Sequence, residues 1–227
     1  MLSPEEWGVV LLSLRVAVCC VLISLPPGIV LAWLLARVSF PGKLLLDGLC
    51  HLPLVLPPVV TGYLLLLLFG RRGALGGLLA HLGVQLAFNW KGAVLASAAV
   101  GFPLLLRAVR LGIEGVDPRL EQVARTLGAG RVRAFATVTL RLAAPGLLVG
   151  ALLSFARSLG EFGATITFVS NIPGQTRTVP SAIYAYLNQP GGEAAAGRLV
   201  VLSIALSLAA LLASELLARR MRQAWSP

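Results

Sequence analysis

Apolar residues run almost unbroken through five stretches of the chain, at 9–36, 49–69, 90–107, 142–159 and 199–218. Each is close to the roughly 20 residues that a helix needs to cross the hydrocarbon core of a bilayer, so the pattern predicts five transmembrane helices. The first is interrupted by Pro26-Pro27-Gly28 and carries Arg15 near its start, within snorkelling reach of an interface. The second holds Pro53, Pro57 and Pro58 in its first half. Prolines there free carbonyls and bend a helix, which lipid tolerates only where neighbouring protein satisfies them, so this span is expected to face protein. A glycine-rich loop from Arg71 to Asn89 follows, and the third span extends as helix towards Glu114. Between 160 and 198 the pattern weakens. Thr165 to Val169 is β-branched and apolar, Pro173-Gly174 marks a turn, and Val179 to Leu187 suits a short helix on the outer face. A sixth crossing would send the arginine tail outward, so a partly re-entrant or periplasmic segment is expected.

The stretch from Asp117 to Pro145 is the one long segment that is neither hydrocarbon-like nor a simple turn. Asp117 suits an N-cap, Pro118 the first helical position, and Glu121 the positive end of the helix dipole. Leu120, Val123, Ala124 and Leu127 then share one face, with Arg119, Gln122, Arg125 and Thr126 on the other. Gly128 ends the helix, since glycine takes the left-handed conformation at little cost. A second short helix is expected from about Arg131 to Leu142, with Phe135, Val138 and Leu142 on one side. Two small helices joined by a glycine-rich bend, carrying Arg119, Arg125, Arg131, Arg133 and Arg141, suit a lipid surface or a partner's groove.

The composition agrees with a membrane assignment. Of 227 residues, 57% are hydrophobic and 12% charged, against roughly a quarter charged in soluble domains. The expected class is an all-α membrane protein of one domain, 1–227. A net charge of +10 would suit nucleic acid if it were pooled. Instead the basic residues cluster between and after apolar runs, which argues against a nucleic-acid partner. With the 115–141 loop inside, twelve Lys and Arg fall on the inner side against five outside. That places the N-terminus outside and the C-terminus, with Arg219, Arg220 and Arg222, in the cytoplasm. Trp7, Trp33, Trp90 and Trp225 lie near span ends, as an aromatic belt requires. The acidic start MLSPEEWG and the length of the first apolar run indicate a retained span rather than a signal peptide.

Catalytic signatures are missing from the sequence. It contains no Gly-x4-Gly-Lys-Ser/Thr, no His-Glu-x-x-His and no Cys-x-x-Cys. Cys19, Cys20 and Cys50 read as core or lipid-facing residues, and His51 and His81 have no partners at ligand spacing. No metal site, resident cofactor or enzymatic activity is expected; if ATP hydrolysis drives the work, it belongs to another subunit. Arg157, Ser158 and Glu161 stand out at a span end, where ionisable residues mark an interior pair or a pathway. Arg157 and Glu161 are spaced i, i+4 and can pair with each other. Alternatively SLGEFGA, with Gly160 and Gly163 allowing close approach or a bend, lines a translocation path or its gate.

The 117–145 segment resembles the coupling loop of ABC-transporter permeases, whose pattern is Glu-Ala-Ala, three residues, Gly, nine residues, then Ile-x-Leu-Pro. Aligned on Gly128, this chain has Gln122-Val123-Ala124 for the triplet, with Glu121 one place earlier, and Val138-Thr139-Leu140-Arg141 for the end. Gln122 and Val123 depart from the pattern and Arg141 replaces its proline. FPGK at 40–43, HLPLVLPPVVTGYLLL at 51–66, EGVDPRLEQVARTLGAGRVR at 114–133 and SLGEFGATITFVSNIPGQTRTVPSAIY at 158–184 are similar, in order, to the molybdate permease branch. The resemblance implies a type I ABC importer permease fold in the cytoplasmic (inner) membrane, working as a homodimer. It implies two cytoplasmic ATPase subunits, which would hold the ATP and Mg, and an external binding protein for molybdate or tungstate. Leu120, Val123, Ala124 and Leu127 would then dock into the ATPase, with Arg119 and Arg125 at the rim and Glu121 and Gly128 shaping the helix. Thr61, Ser154, Ser158 and Thr165 are candidate hydroxyls for a tetrahedral dianion, with Arg157 and Glu161 at the gate. The nearest alternative is a sulfate or thiosulfate permease of the same fold. A self-sufficient secondary transporter would show internal repeats, and no self-similar halves are visible. A purely structural anchor would not need the capped amphipathic loop.

Overall fold

The computed structural model describes residues 3–225, with side chains described up to Ala213 and at Leu216. Arg219, Arg220, Arg222 and Trp225 therefore lie outside the described side chains. Among the described residues three helices are long and apolar enough to cross a membrane, Pro4–Arg37, Trp90–Glu114 and Glu193–Ala213, and five segments qualify if each of two bent helix pairs counts as one span.

Helix α1 (Pro4–Arg37) opens with a capping box in which Ser3 Oγ accepts from Glu6 N at 3.2 Å and Glu6 Oε2 accepts from Ser3 N at 2.6 Å. Contrary to the sequence expectation, Pro26 and Pro27 do not interrupt it. They lie inside one continuous 34-residue helix. Proline removes a backbone bond and crowds the preceding turn, but Gly28 follows at once and seats the helix against α5 (Trp90–Glu114), where a Cβ would lie 2.3 Å from Leu105 Cδ2.

The span expected over 49–69 is instead two helices, α2 (Lys43–Val55) and α3 (Pro58–Phe69), set at 115°. The cause is local. Leu56 precedes a proline and is pushed to extended backbone (φ −68, ψ 142), and Pro58 then starts a new helix. The two halves differ in burial: α2 buries none of its residues within the chain, whereas α3 buries Thr61, Gly62 and Leu65, as expected of a span that faces protein. A short helix, α4 (Ala74–His81), occupies part of the expected loop at 71–89.

Helix α5 runs to Glu114 through Pro103 and is packed between α1 and α9 (Ala144–Leu159). Small residues allow the close crossing: a Cβ on Gly112 would lie 3.1 Å from Gly146 Cα, one on Gly150 2.9 Å from Leu105 O, and one on Gly101 2.9 Å from Ser154 Oγ. Between α5 and α9 come α6 (Pro118–Thr126), α7 (Arg131–Ala134), a π turn (Phe135–Thr139) and α8 (Leu140–Leu142). Helix α9 leaves this segment at 69°. The β-branched, apolar stretch Thr165 to Val169 lies within α10 (Gly163–Val169), which packs on α3. Helix α11 (Val179–Leu187) matches its expected bounds, and α12 (Glu193–Trp225) begins earlier than the apolar run suggests.

Candidate functional site

The 117–142 hairpin projects from the end of the bundle where α1 and α5 finish. Asp117 Oδ1 accepts from Arg119 N at 2.9 Å, and Gly128 sits at φ +93, as the spacing predicts. The apolar face of α6 is open. Leu120 is 46% exposed, Val123 56% and Leu127 84%, and Val132 of α7 adds a fourth apolar side chain at 82%. Arg119 and Arg125 are exposed beside it and Ala124 is half-buried. An open apolar stripe flanked by cations suits a partner's groove.

The root of the hairpin is held by contacts that the sequence did not reveal. The buried Thr139 hydroxyl in the π turn donates to Glu121 Oε1, tying α6 to the following segment. The Arg37 guanidinium at the end of α1 donates from Nη2 to the carbonyls of Ile113 (3.1 Å) and Val116 (2.6 Å), closing the C-terminus of α5. Arg110 on α5 joins Asp47 of α2 at 3.0 Å and Glu114 at 2.7 Å. Trp33 meets Phe135 edge-on, with centroids 6.1 Å apart. Glu121 and Thr139 are 18 residues apart, and no periodicity links them. Only the arginine at the end of the first apolar run could have hinted at a capping role.

The six candidate path residues fall into two groups. On α9, Ser154 and Ser158 are buried one turn apart. Ser154 Oγ lies 3.8 Å from Cys20 Sγ of α1, and Ser158 and Ser24 are the thiol's other polar neighbours. Cys20 and Ser24 were not singled out as polar participants. The hydroxyls of Ser24, Thr61 and Ser158 are buried with no hydrogen-bond partner among the described residues. The second group sits where α3 crosses α10. A Cβ on Gly62, next to Thr61, would lie 2.5 Å from Ala164 O, and Thr165 is buried one residue on. Glu161, 2% exposed, accepts from Ala164 N at 2.8 Å through Oε1 and faces Arg157 Nη1 at 2.7 Å through Oε2. This ion pair is the one expected from the i, i+4 spacing. The carboxylate also satisfies a free N–H at the start of α10.

At the opposite end of the bundle, ion pairs fasten the later elements to α1. Arg198 meets Glu6 at 2.8 Å and Arg177 meets Glu5 at 2.8 Å. Arg177 also donates to Asn171 Oδ1 at 3.1 Å, and Ser13 Oγ accepts from Val179 N at 2.8 Å. Burial raises the Tyr186 phenol above its usual range, and the Glu5 carboxylate acts in the same direction. Arg15 stacks 3.9 Å above the Trp90 ring, consistent with its reading as an interfacial side chain.

Residues 28–223 match the family described as binding-protein-dependent transport system inner membrane component. The chain is 62% identical over 224 residues to the molybdenum transport system permease protein ModB of Escherichia coli strain K12, covering 98% of both chains. It is 56% identical over 219 residues to the protein of the same name from Haemophilus influenzae, covering 96% of each. The sulfate transport system permease protein CysT of Salmonella typhimurium is 38% identical over 182 residues, or 79% of this chain and 66% of that one. Among solved structures, a bacterial ABC transporter that imports the acidic polysaccharide alginate has a chain with a TM-score of 0.74 at 17% identity. It covers 96% of this chain and 80% of that one, a likeness of fold.

Proposed function

The chain belongs to the family of binding-protein-dependent transport inner membrane components, and from that premise we propose that it is the membrane-spanning subunit of an ATP-driven molybdate importer, with tungstate as a second cargo. The observation that carries the substrate is the end-to-end likeness to the molybdenum permeases, which the sulfate permease matches less closely and over less of its length. The subunit works as a homodimer in the cytoplasmic membrane, with its N-terminus outside and the hairpin inside. Two ATPase subunits, which hold ATP and Mg, grip Leu120, Val123, Ala124, Leu127 and the Arg119 and Arg125 rim. An external binding protein delivers the anion.

Closure of the ATPase pair draws the two hairpins together. Only contacts that differ between inward-open and outward-open states can shift that equilibrium, so the hairpin must move as a rigid piece. The Glu121–Thr139 bond and the Arg37 cap support that rigidity. The α1–α9 and α3–α10 contacts, with Ser154, Ser158, Thr61 and Thr165, are the surfaces that separate to admit the anion. Arg157 is the one cation among these six residues and is paired with Glu161 at rest, so it does not trap a dianion permanently. The test is uptake of labelled molybdate into proteoliposomes holding the subunit, its ATPase and its binding protein. ATP-dependent uptake that survives a large excess of sulfate supports the reading. Uptake abolished by sulfate assigns the sulfate class instead, and uptake without ATP would indicate a secondary transporter.

A further inference from the structure

At the end of the bundle opposite the hairpin, a pocket of about 410 Å3 lies between the C-terminus of α3, α4, the 84–89 segment and Gln175. Its polar lining is Arg71, Gln85, Asn89 and Gln175, and no carboxylate takes part. With its amide oriented to face the guanidinium, Gln85 accepts from Arg71 Nε at 3.2 Å and Nη2 at 3.0 Å. That fixes the arginine at the pocket wall and leaves the rest of its N–H fork uncommitted, because a guanidinium has several more donors. No Asp or Glu pairs with Arg71 among the described residues. Asn89 caps α5, a 25-residue helix, by accepting from Lys91 N at 3.1 Å, so the positive end of that helix dipole adjoins the same pocket.

The backbone around this point is strained at two residues that are not glycine. Phe88, in the pocket wall, sits at φ +58. Ser170 sits at φ +64 and ψ −164, directly after Val169, whose side chain packs on Gly92 near the start of α5. These are the two non-glycine residues at positive φ among the described residues, and both flank the N-terminus of one helix. Strain of this kind persists where the surrounding structure imposes it, often at sites that bind or switch.

We propose that this pocket is a binding site for a tetrahedral oxyanion, held by the Arg71 guanidinium and the side-chain amides around it at the outer end of α5. The pairing of one fixed cation with neutral amide donors suits a polyatomic oxyanion that must also leave, since a single charge-assisted contact binds without trapping. Two sources share this chemistry, a free oxyanion such as molybdate and the phosphate of a lipid headgroup. The inference rests on the importer reading for which free anion is at hand; the pocket's preference for an oxyanion follows from its own lining.

The test uses the intact transporter in phospholipid nanodiscs, without binding protein, and compares Arg71→Gln with Arg72→Gln. Arg72 is exposed, as Arg71 is, but does not line the pocket. Labelled molybdate is titrated directly, and copurifying phospholipid is counted by native mass spectrometry. For a free-anion site, Arg71→Gln weakens molybdate binding about tenfold or more while Arg72→Gln leaves it unchanged. For a headgroup site, molybdate does not bind and Arg71→Gln alone loses a tightly held phospholipid. The proposal is overturned if both variants behave as wild type in both measurements, or if both weaken binding equally, which would mean diffuse surface charge. Wild-type uptake that needs ATP and resists sulfate keeps the importer reading standing whichever result is found here.

Discussion

Replacing Thr139 by valine removes one donor from the joint between α6 and the π turn while keeping the volume of the side chain. Thr139 is fully buried, and its hydroxyl donates to Glu121. A hydrogen bond to a charged acceptor contributes about 1.5–3 kcal/mol. Glu121 is partly exposed, so water recovers part of the loss and the lower end of that range applies. About 1.5 kcal/mol corresponds to roughly a tenfold rise in the population of an opened α6. Amide hydrogen exchange of the reconstituted subunit reads this directly. The amides of 120–127 should exchange about tenfold faster in Thr139→Val, while those of α5 and α9 keep wild-type rates. Glu121→Gln should act in the same direction, and the double variant should cost less than the two changes added together, as coupled partners do. Transport per ATP hydrolysed should fall in parallel. If α6 exchanges at the wild-type rate in both single variants, the bond does not hold the hairpin and the argument for a rigid coupling element fails.

Other substitutions probe the remaining joints. Gly128→Val places a β-branched residue at φ +93 and should cost about 1–2 kcal/mol, seen as intact membrane insertion with ATP hydrolysis no longer matched by uptake. Gly62→Ala sets a Cβ 2.5 Å from Ala164 O and 2.8 Å from Ala164 Cα, both backbone atoms, so melting should shift down by the equivalent of about 1–3 kcal/mol. Gly77→Ala, with nothing within 4 Å of its Cβ inside α4, should leave stability equal or slightly raised. Arg157→Met strands the buried Glu161 carboxylate and should cost about 3 kcal/mol, whereas the double variant with Glu161→Gln should recover most of it. A double variant no more stable than Arg157→Met in thermal melts would show that the charge pair is not what holds that turn.

The elements most legible in the sequence were those whose information is local. Asp117, Pro118 and Gly128 mark the ends of α6 through capping and backbone preference, and the Leu120, Val123, Leu127 stripe is periodic. The i, i+4 spacing of Arg157 and Glu161 likewise gave their contact. Proline was less legible because its effect depends on what surrounds it. Pro26 and Pro27 stay within α1, where Gly28 and Leu105 pack closely, whereas Leu56-Pro57-Pro58 divides a continuous apolar run into two helices at 115°. The β-branched run at 165–169 lies in α10, where Gly62 of α3 approaches the backbone and Glu161 satisfies an N–H at the helix start. The Thr139–Glu121 bond, the Arg37 cap and the Cys20–Ser154 contact join positions 18 to 134 residues apart. Such pairs are set by how the helices pack, and a single sequence gives no spacing from which to read them.

The most direct test of the mechanism is the reactivity of a single cysteine placed at the most exposed point of the hairpin face. Leu127→Cys, in a chain whose Cys19, Cys20 and Cys50 are changed to alanine, is treated with a membrane-impermeant maleimide in sealed vesicles of both orientations, with and without the ATPase subunit. The account predicts labelling only from the cytoplasmic side, and loss of that labelling when the ATPase is bound. Labelling from the outer side, or labelling that the ATPase does not alter, would contradict it.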